Sequence, residues 1–221
     1  MQRRRTILET VQPAPIEFRQ LARKWQSDAS TLMLEWVWTG YDLLVAEILS
    51  KADWNVAKDD LEREITQLLE IRIRRSMSPI TFCYIQHEPK ERETRRPAPA
   101  QPPEYDLAFV LYSDERIMWP MEAKILKTDQ QVSEYVEDVK NEFLTCRYAP
   151  FSDEGAMLGY MLSGHPDRVF LKISQALAVK LISHRDFPDR DHRVSSHLRK
   201  VPKNKPYPTS FRIHHLMMPL K

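Results

Sequence analysis

Two apolar, strand-like runs, covering residues 105–112 and 116–124, dominate the hydrophobic pattern of the chain. Only the polar residues 113–115 separate them, which is a loop length typical of a β-hairpin. In a hairpin with this loop, Leu107 lies opposite Met121 and one face of both strands is wholly apolar. A slip by one residue would mix apolar and polar side chains on each face, so the pattern predicts this register.

The other face of the predicted hairpin bears ionisable side chains. The same register places Asp106 opposite Glu122, and Lys124 follows Glu122 by two residues, which puts both on one face of the strand. Opposed side chains lie about 5 Å apart at Cβ. Two carboxylates at that separation are suited to holding one divalent cation, with an ammonium group beside it. A solvated salt pair on a sheet edge is the alternative interpretation.

The rest of the chain alternates between helical and extended patterns. Asp59 and Asp60 are suited to capping a helix that runs to about residue 75. Pro120 cannot donate a ladder hydrogen bond, so it predicts an edge segment or a bulge in the second hairpin strand. Residues 186–208 are polar and Pro-rich, and no strand is predicted there. Helices are predicted over residues 16–52, 59–75, 129–146 and 167–182, and further strands over residues 80–86 and 211–216.

Length and composition exclude several classes of protein. The 221 residues fit one domain with appendages, and an apolar content of 42% is enough for a core. The 4 glycines form no phosphate-binding loop, which excludes P-loop and Rossmann nucleotide-binding proteins. The 2 cysteines make neither a disulfide framework nor a zinc site. Because no signal peptide and no apolar run of membrane length is visible, the expected location is the cytoplasm.

The pattern of Asp106, Glu122 and Lys124 resembles that of the PD-(D/E)xK nuclease superfamily, whose members share the restriction-endonuclease-like fold. In that superfamily an Asp opens one strand and an (Asp/Glu)-x-Lys triplet closes the next. Tyr105 stands here where a Pro often precedes the Asp. The segment 147–160 also resembles one found in small uncharacterised nuclease-like proteins.

The resemblance covers roughly residues 59–175, and it implies a fold as well as an activity. The expected fold is α/β, with a restriction-endonuclease-like core in which helices flank a mixed central β-sheet. This nuclease-like domain is expected over residues 56–221. Residues 1–55 are expected to form an N-terminal arm and a helical extension.

The chemistry implied by the resemblance is metal-dependent hydrolysis of a phosphodiester bond, with Mg²⁺ as the cofactor and Mn²⁺ as a substitute. Asp106 and Glu122 would bind the metal through carboxylate oxygens, with the Ala123 carbonyl as a further ligand. Lys124 would position the attacking water and stabilise charge in the transition state.

Many relatives add a glutamate from the helix that precedes the first strand. Glu62 is the residue expected in this role, as a further metal or water ligand. Glu64 is almost equally placed because both border the apolar stripe of the helix, and Glu47 is a weaker third candidate. Glutamates that only support nearby arginines on a helix surface are the alternative interpretation.

Other residues are expected to contact nucleic acid. Gln131 and Tyr135 resemble the Gln-x-x-x-Tyr element of RecB-like members and share one helix face, where they would contact a phosphate or orient Lys124. A tyrosine of the core is the alternative for Tyr135. The net charge of +2 is too small to indicate nucleic-acid binding by itself, so phosphate contacts require basic clusters on one face. The basic residues expected there are Arg72, Arg75, Arg199 and Lys200.

The 7 histidines show no zinc-binding spacing. His184, His192 and His197 lie in a polar region without cysteine partners, and the adjacent His214 and His215 would face opposite sides of a strand. We interpret these histidines as structural or surface residues.

The function expected from the resemblance is a DNA endonuclease, working as an effector subunit of a restriction or anti-phage defence system. A partner protein or a homo-oligomer would supply targeting, and no membrane partner is expected. A catalytically inactive, nuclease-like scaffold is the alternative, and an RNA-cleaving toxin is a third hypothesis. The presence of Asp106, Glu122 and Lys124 together favours the enzyme.

Overall fold

The computed structural model describes residues 28–51, 58–91 and 102–220. The helices in these ranges are α1 (Asp28–Glu47), α2 (Lys58–Ser76), α3 (Ser133–Asp138), which continues into a π-helical turn (Val139–Phe143), and α4 (Pro166–Leu177). The strands are β1 (Cys83–His87), β2 (Leu107–Leu111), β3 (Met118–Leu126), β4 (Glu154–Met161), β5 (Ile182–Ser183), β6 (His192–Leu198) and β7 (Ser210–Pro219). Strand β6 lies in the polar segment where no strand was predicted.

The strands form one mixed sheet of 7 strands in the order β1-β2-β3-β4-β7-β6-β5. Strands β3, β4 and β7 run parallel at its centre, and antiparallel pairs extend the sheet on both sides. The connections from β3 to β4 and from β4 to β7 contain helices, as parallel strands require. The expectation of an α/β fold with a mixed sheet flanked by helices is confirmed.

The predicted hairpin register is confirmed, because Leu107 pairs with Met121 and Phe109 with Trp119. The expectation drawn from Pro120 is wrong. Strand β3 is an interior strand, and its register with β2 continues through Pro120 without a bulge. The parallel ladder with β4 begins only at Met121, so the missing N–H of Pro120 interrupts no hydrogen bond there.

Alternate residues of the central strands enter two separate cores, one on each face of the sheet. On one face, Trp36 of α1 and Ile65 of α2 pack in the same buried cluster as Phe109. On the other face, helices α3 and α4 share a cluster with the sheet. A Cβ at Gly40 would lie 2.8 Å from the backbone nitrogen of Ile73, so glycine permits the close approach of α1 to α2.

Helix α1 falls in the predicted N-terminal extension, yet its side chains are part of the core. The predicted boundary between residues 55 and 56, like the predicted arm at the N-terminus, lies outside the described residues. Within the described ranges, no helix combines the length and the apolar character needed to cross a membrane.

Candidate metal and catalytic site

The candidate site lies where the sheet forks. The ladder between β2 and β3 stops at Leu107, while β3 continues, so the next N–H groups of β3 on that side lose their strand partner. Asp106 Oδ2 accepts a hydrogen bond from the N–H of Ala123 at 2.7 Å. Glu62 Oε2, from α2, accepts one from the N–H of Ile125 at 2.7 Å. Two carboxylates therefore occupy the place of a strand, and the backbone fixes the position of both.

Lys124 lies among these carboxylates with only 16% of its side chain exposed. Lys124 Nζ also donates a hydrogen bond to the backbone carbonyl oxygen of Ala123, the preceding residue, at 2.8 Å. The carboxylate oxygens nearest to Nζ are Glu122 Oε1 at 3.1 Å, Asp138 Oδ2 at 3.0 Å and Glu62 Oε1 at 3.6 Å. The predicted grouping of Glu62, Glu122 and Lys124 is present in the structure.

The site has more negative than positive charge. Burial raises the pKa of Glu122 well above its ordinary value, and the neighbouring Asp106 raises that pKa further. Burial also raises the pKa of Asp106. Burial by itself would lower the pKa of Lys124, but the surrounding carboxylates raise it above its ordinary value. One ammonium group faces the carboxylates of Asp106, Glu122, Glu62 and Asp138.

Two oxygens of this cluster, Glu122 Oε2 and Asp138 Oδ2, are buried without a hydrogen bond of favourable geometry to any described residue, although Asp138 Oδ2 lies close to Lys124 Nζ. Glu122 Oε2 is buried and has no hydrogen-bond partner among the described residues. Burying an ionised oxygen without a partner costs free energy, so the arrangement calls for a bound proton or a cation. The donor atoms are all oxygens, which are the ligands that Mg²⁺ and Mn²⁺ prefer.

The structure distinguishes among the three candidate glutamates. Glu62 contacts Lys124, whereas the side chain of Glu64 is exposed to solvent. Glu47 lies elsewhere and pairs with Arg72 at 3.1 Å and with Arg75 at 2.9 Å.

The expected phosphate contacts of Arg72 and Arg75 are not supported, because both arginines bind Glu47. Arg72 is buried and its guanidinium binds Glu47 and the carbonyl oxygen of Leu68. Arg75 is more exposed, but it binds the same glutamate. The two arginines therefore link α2 to α1.

The structure also corrects the expectation that Arg199 contacts nucleic acid. Arg199 is buried, and its guanidinium lies 4.4 Å from the centre of the Phe211 ring. It donates hydrogen bonds to the carbonyl oxygens of Phe143, Tyr148, Ala149 and Ser152. Arg199 therefore holds the loop before β4 in place, while the adjacent Lys200 is exposed and remains a candidate for phosphate contact.

Gln131 and Tyr135 have different surroundings, because Gln131 lies before the start of α3 and Tyr135 lies within it. Gln131 is exposed, and together with Lys124 it lines a cavity of about 210 Å³. Tyr135 lines the same cavity, but it is fully buried and its hydroxyl lies 2.8 Å from His215 Nδ1. These contacts favour the alternative for Tyr135, a tyrosine of the core.

Asp138 was not found from the sequence. It ends α3, immediately before the π-helical turn, and its Oδ2 lies 3.0 Å from Lys124 Nζ. Asp138 follows Tyr135 by three residues, a spacing that places both on one face of a helix. That spacing was the signal available in the sequence.

Comparison of the chain with protein-family models, with curated proteins and with solved structures found no match. A functional assignment for this chain therefore depends on the geometry of the site. The residues at that site are also those of the resemblance noted in the sequence.

Proposed function

We propose that this chain is a metal-dependent nuclease with a restriction-endonuclease-like core of the PD-(D/E)xK type. The proposed reaction is hydrolysis of phosphodiester bonds in DNA, in the service of a restriction or anti-phage system. The observation that carries the proposal is the meeting of Asp106, Glu122 and Glu62 around Lys124 at the fork of the sheet. A solvated salt pair does not account for a cluster this buried and this rich in carboxylates.

The residues of the site fit a hard divalent cation such as Mg²⁺. Asp106 and Glu122 would hold it, since Glu122 Oε2 is buried without a hydrogen-bond partner in the described ranges. The Ala123 carbonyl oxygen accepts one hydrogen bond from Lys124 and keeps a second lone pair for a ligand contact. When bound, such a cation polarises a phosphate and lowers the pKa of a coordinated water.

The protein residues of the site have separate roles in this proposal. The backbone N–H groups of Ala123 and Ile125 hold Asp106 and Glu62 in fixed orientations, which is the preorganisation that electrostatic catalysis requires. Because its pKa is raised, Lys124 stays protonated at neutral pH. Lys124 therefore acts as a hydrogen-bond donor and a stabiliser of developing negative charge, and it does not serve as the general base.

The withdrawal of Arg72 and Arg199 into the protein leaves fewer basic side chains for phosphate contacts than the sequence suggests. Among the expected contacts, Lys200, Gln131 and Arg75 are exposed, and Arg75 pairs with Glu47. With Arg72 and Arg199 buried, we infer that a partner protein or a homo-oligomer completes the binding to DNA.

The direct test is a cleavage assay with the purified chain. Plasmid, linear duplex DNA, single-stranded DNA and RNA are incubated with Mg²⁺, with Mn²⁺ or with EDTA. We expect cleavage of DNA that EDTA abolishes and that Asp106→Asn eliminates. Cleavage of RNA alone would favour the toxin hypothesis, and binding without cleavage under every condition would favour the inactive scaffold.

A matched pair of variants tests the role of Glu62. Glu62→Gln should lower the cleavage rate by about 10–100-fold, a typical cost for a group that orients the residues of a metal site. Glu64→Gln, two residues away on the exposed side of the same helix, should leave the rate within about twofold of wild type. Single-turnover rates of both variants measure the difference. Equal losses in the two variants would contradict the assigned position of Glu62.

A further inference from the structure

Three histidines from separate parts of the chain meet on the far half of the sheet. His184 follows β5, His192 begins β6 and His214 lies in β7. His192 Nε2 and His214 Nδ1 are 3.1 Å apart, and one nitrogen from each of the three rings lies within 4.8 Å of the others. His192 and His214 are almost fully buried. The sequence spacing had indicated no such cluster.

We propose that His184, His192 and His214 form a binding site for a transition-metal cation of the Zn²⁺ class. Imidazole nitrogens suit Zn²⁺, Co²⁺, Ni²⁺ and Cu²⁺, whereas the oxygen-only site at Lys124 suits Mg²⁺ and Mn²⁺. The two sites therefore select different metals. The proposal of a histidine site does not depend on the proposal that the chain is a nuclease.

The separations within the cluster suit a tetrahedral site after a modest adjustment. A zinc–nitrogen bond of about 2.0–2.1 Å places two tetrahedral ligands roughly 3.3 Å apart. His192 and His214 are already near that separation at 3.1 Å. His184 is the ligand that must move most. Its side chain lines a cavity of about 810 Å³, which gives the ring room to turn and gives a metal a route of access.

A carboxylate stands behind one of the proposed ligands. His214 Nε2 is buried without a hydrogen-bond partner in the described ranges, and it faces Glu154 Oε2 at 3.7 Å. Coordination through His214 Nδ1 leaves the proton on Nε2, pointed at that carboxylate. Metal-binding histidines are commonly oriented in this way by a carboxylate. Arg212 holds the other oxygen of Glu154 at 3.0 Å.

Metal binding must also rearrange the protons around the cluster. In this structure Trp38 Nε1 donates to His192 Nδ1 at 3.4 Å, and the N–H of Asp186 donates to His184 Nδ1 at 3.2 Å. Both are long hydrogen bonds. Coordination through His192 Nε2 moves the imidazole proton to Nδ1, so the indole of Trp38 must turn away. Trp38 fluorescence is therefore expected to report on occupancy of the site.

The test is titration of the full chain with Co²⁺ in the presence of excess Mg²⁺. Tetrahedral cobalt bound by nitrogen gives intense visible absorption, while octahedral cobalt bound by oxygen gives only weak bands. We expect intense bands at about one equivalent, displaced by Zn²⁺. Glu154→Gln should weaken binding by about 10–100-fold, and His184→Gln by at least as much. His165→Gln, at an exposed histidine, is the control and should bind as the wild type does.

Two results would overturn the proposal. Absence of intense bands in the wild type at millimolar Co²⁺ would leave the cluster as a hydrogen-bonded group of histidines. Bands that survive in His184→Gln but vanish in Glu122→Gln would assign the metal to the carboxylate site. Should His184→Gln fail to fold, X-ray absorption spectroscopy of the wild type with Zn²⁺ decides, because three imidazole ligands are expected and two or fewer would refute the site.

Discussion

Glu122→Gln is expected to abolish nuclease activity, with a loss of about 1000-fold or more in the single-turnover rate. The amide cannot supply the second anionic oxygen that the proposed cation needs beside Asp106. Lys124→Ala should cause a loss of similar size. Because these groups act as one unit, the double variant should lose little more than either single variant. Substantial activity in either single variant would place the catalytic centre elsewhere.

The same Glu122→Gln change is expected to stabilise the metal-free protein at neutral pH. The pKa of Glu122 is raised in the folded protein, so the folded state binds more protons than the unfolded state above the ordinary pKa of a glutamate. In EDTA, the free energy of unfolding therefore falls as the pH rises from the ordinary pKa of a glutamate toward the raised pKa of Glu122. The fall is up to about 1.4 kcal/mol per pH unit for one proton. Glutamine at this position removes that contribution.

Chemical denaturation in EDTA at several pH values measures this effect. The free energy of unfolding of the wild type should fall more steeply with rising pH than that of Glu122→Gln. Glu64→Gln is the control, because its exposed side chain should leave the slope unchanged. Equal slopes for wild type and Glu122→Gln would contradict the buried, proton-binding carboxylate described above.

Arg199→Ala is expected to destabilise the protein by about 3–5 kcal/mol, because several buried carbonyl oxygens lose their charged donor at a cost of about 1–3 kcal/mol each. The truncation leaves the carbonyl oxygens of the loop before β4 without their donor. Within that loop Cys146 and Ala149 have positive φ angles of 61° and 49°, a conformation that needs support from its surroundings. Thermal or chemical unfolding measures the loss.

Lys200→Ala is the matched control for Arg199→Ala, since the two residues are adjacent and only Lys200 is exposed. It should change stability by no more than about 0.5 kcal/mol. If Lys200 contacts a phosphate, its replacement lowers the salt dependence of DNA binding by roughly one phosphate contact. A small effect of Arg199→Ala on stability, with a large one on DNA binding, would restore the original expectation for Arg199.

The hairpin shows how much of the site the sequence determines by itself. Side chains alternate between the two faces of a strand, and the short loop permits one register in which the apolar residues share a face. This register therefore brings Asp106 close to Glu122 and Lys124, just beyond the end of the ladder. The presence of α2 and α3 likewise follows from helical periodicity, which depends only on neighbours along the chain.

The choice among residues that are equivalent along the chain was made by tertiary structure. Glu62 and Glu64 border the same apolar stripe of the helix. Only Glu62 accepts a hydrogen bond from the N–H of Ile125, which has no strand partner because β2 stops before it. The periodicity of a helix carries no information about where a distant strand ends.

Burial of the arginines and the grouping of the histidines depended on contacts between distant parts of the chain. Arg199 is withdrawn from solvent by carbonyl groups about 50 residues earlier in the sequence. His192 and His214 meet because β6 and β7 pair in one particular register. Local patterns determined the hairpin strands, the main helices and the facing carboxylates, but they did not predict β4 or β6. Tertiary packing decided which charged and polar groups are buried, because burial depends on partners that are remote in the sequence.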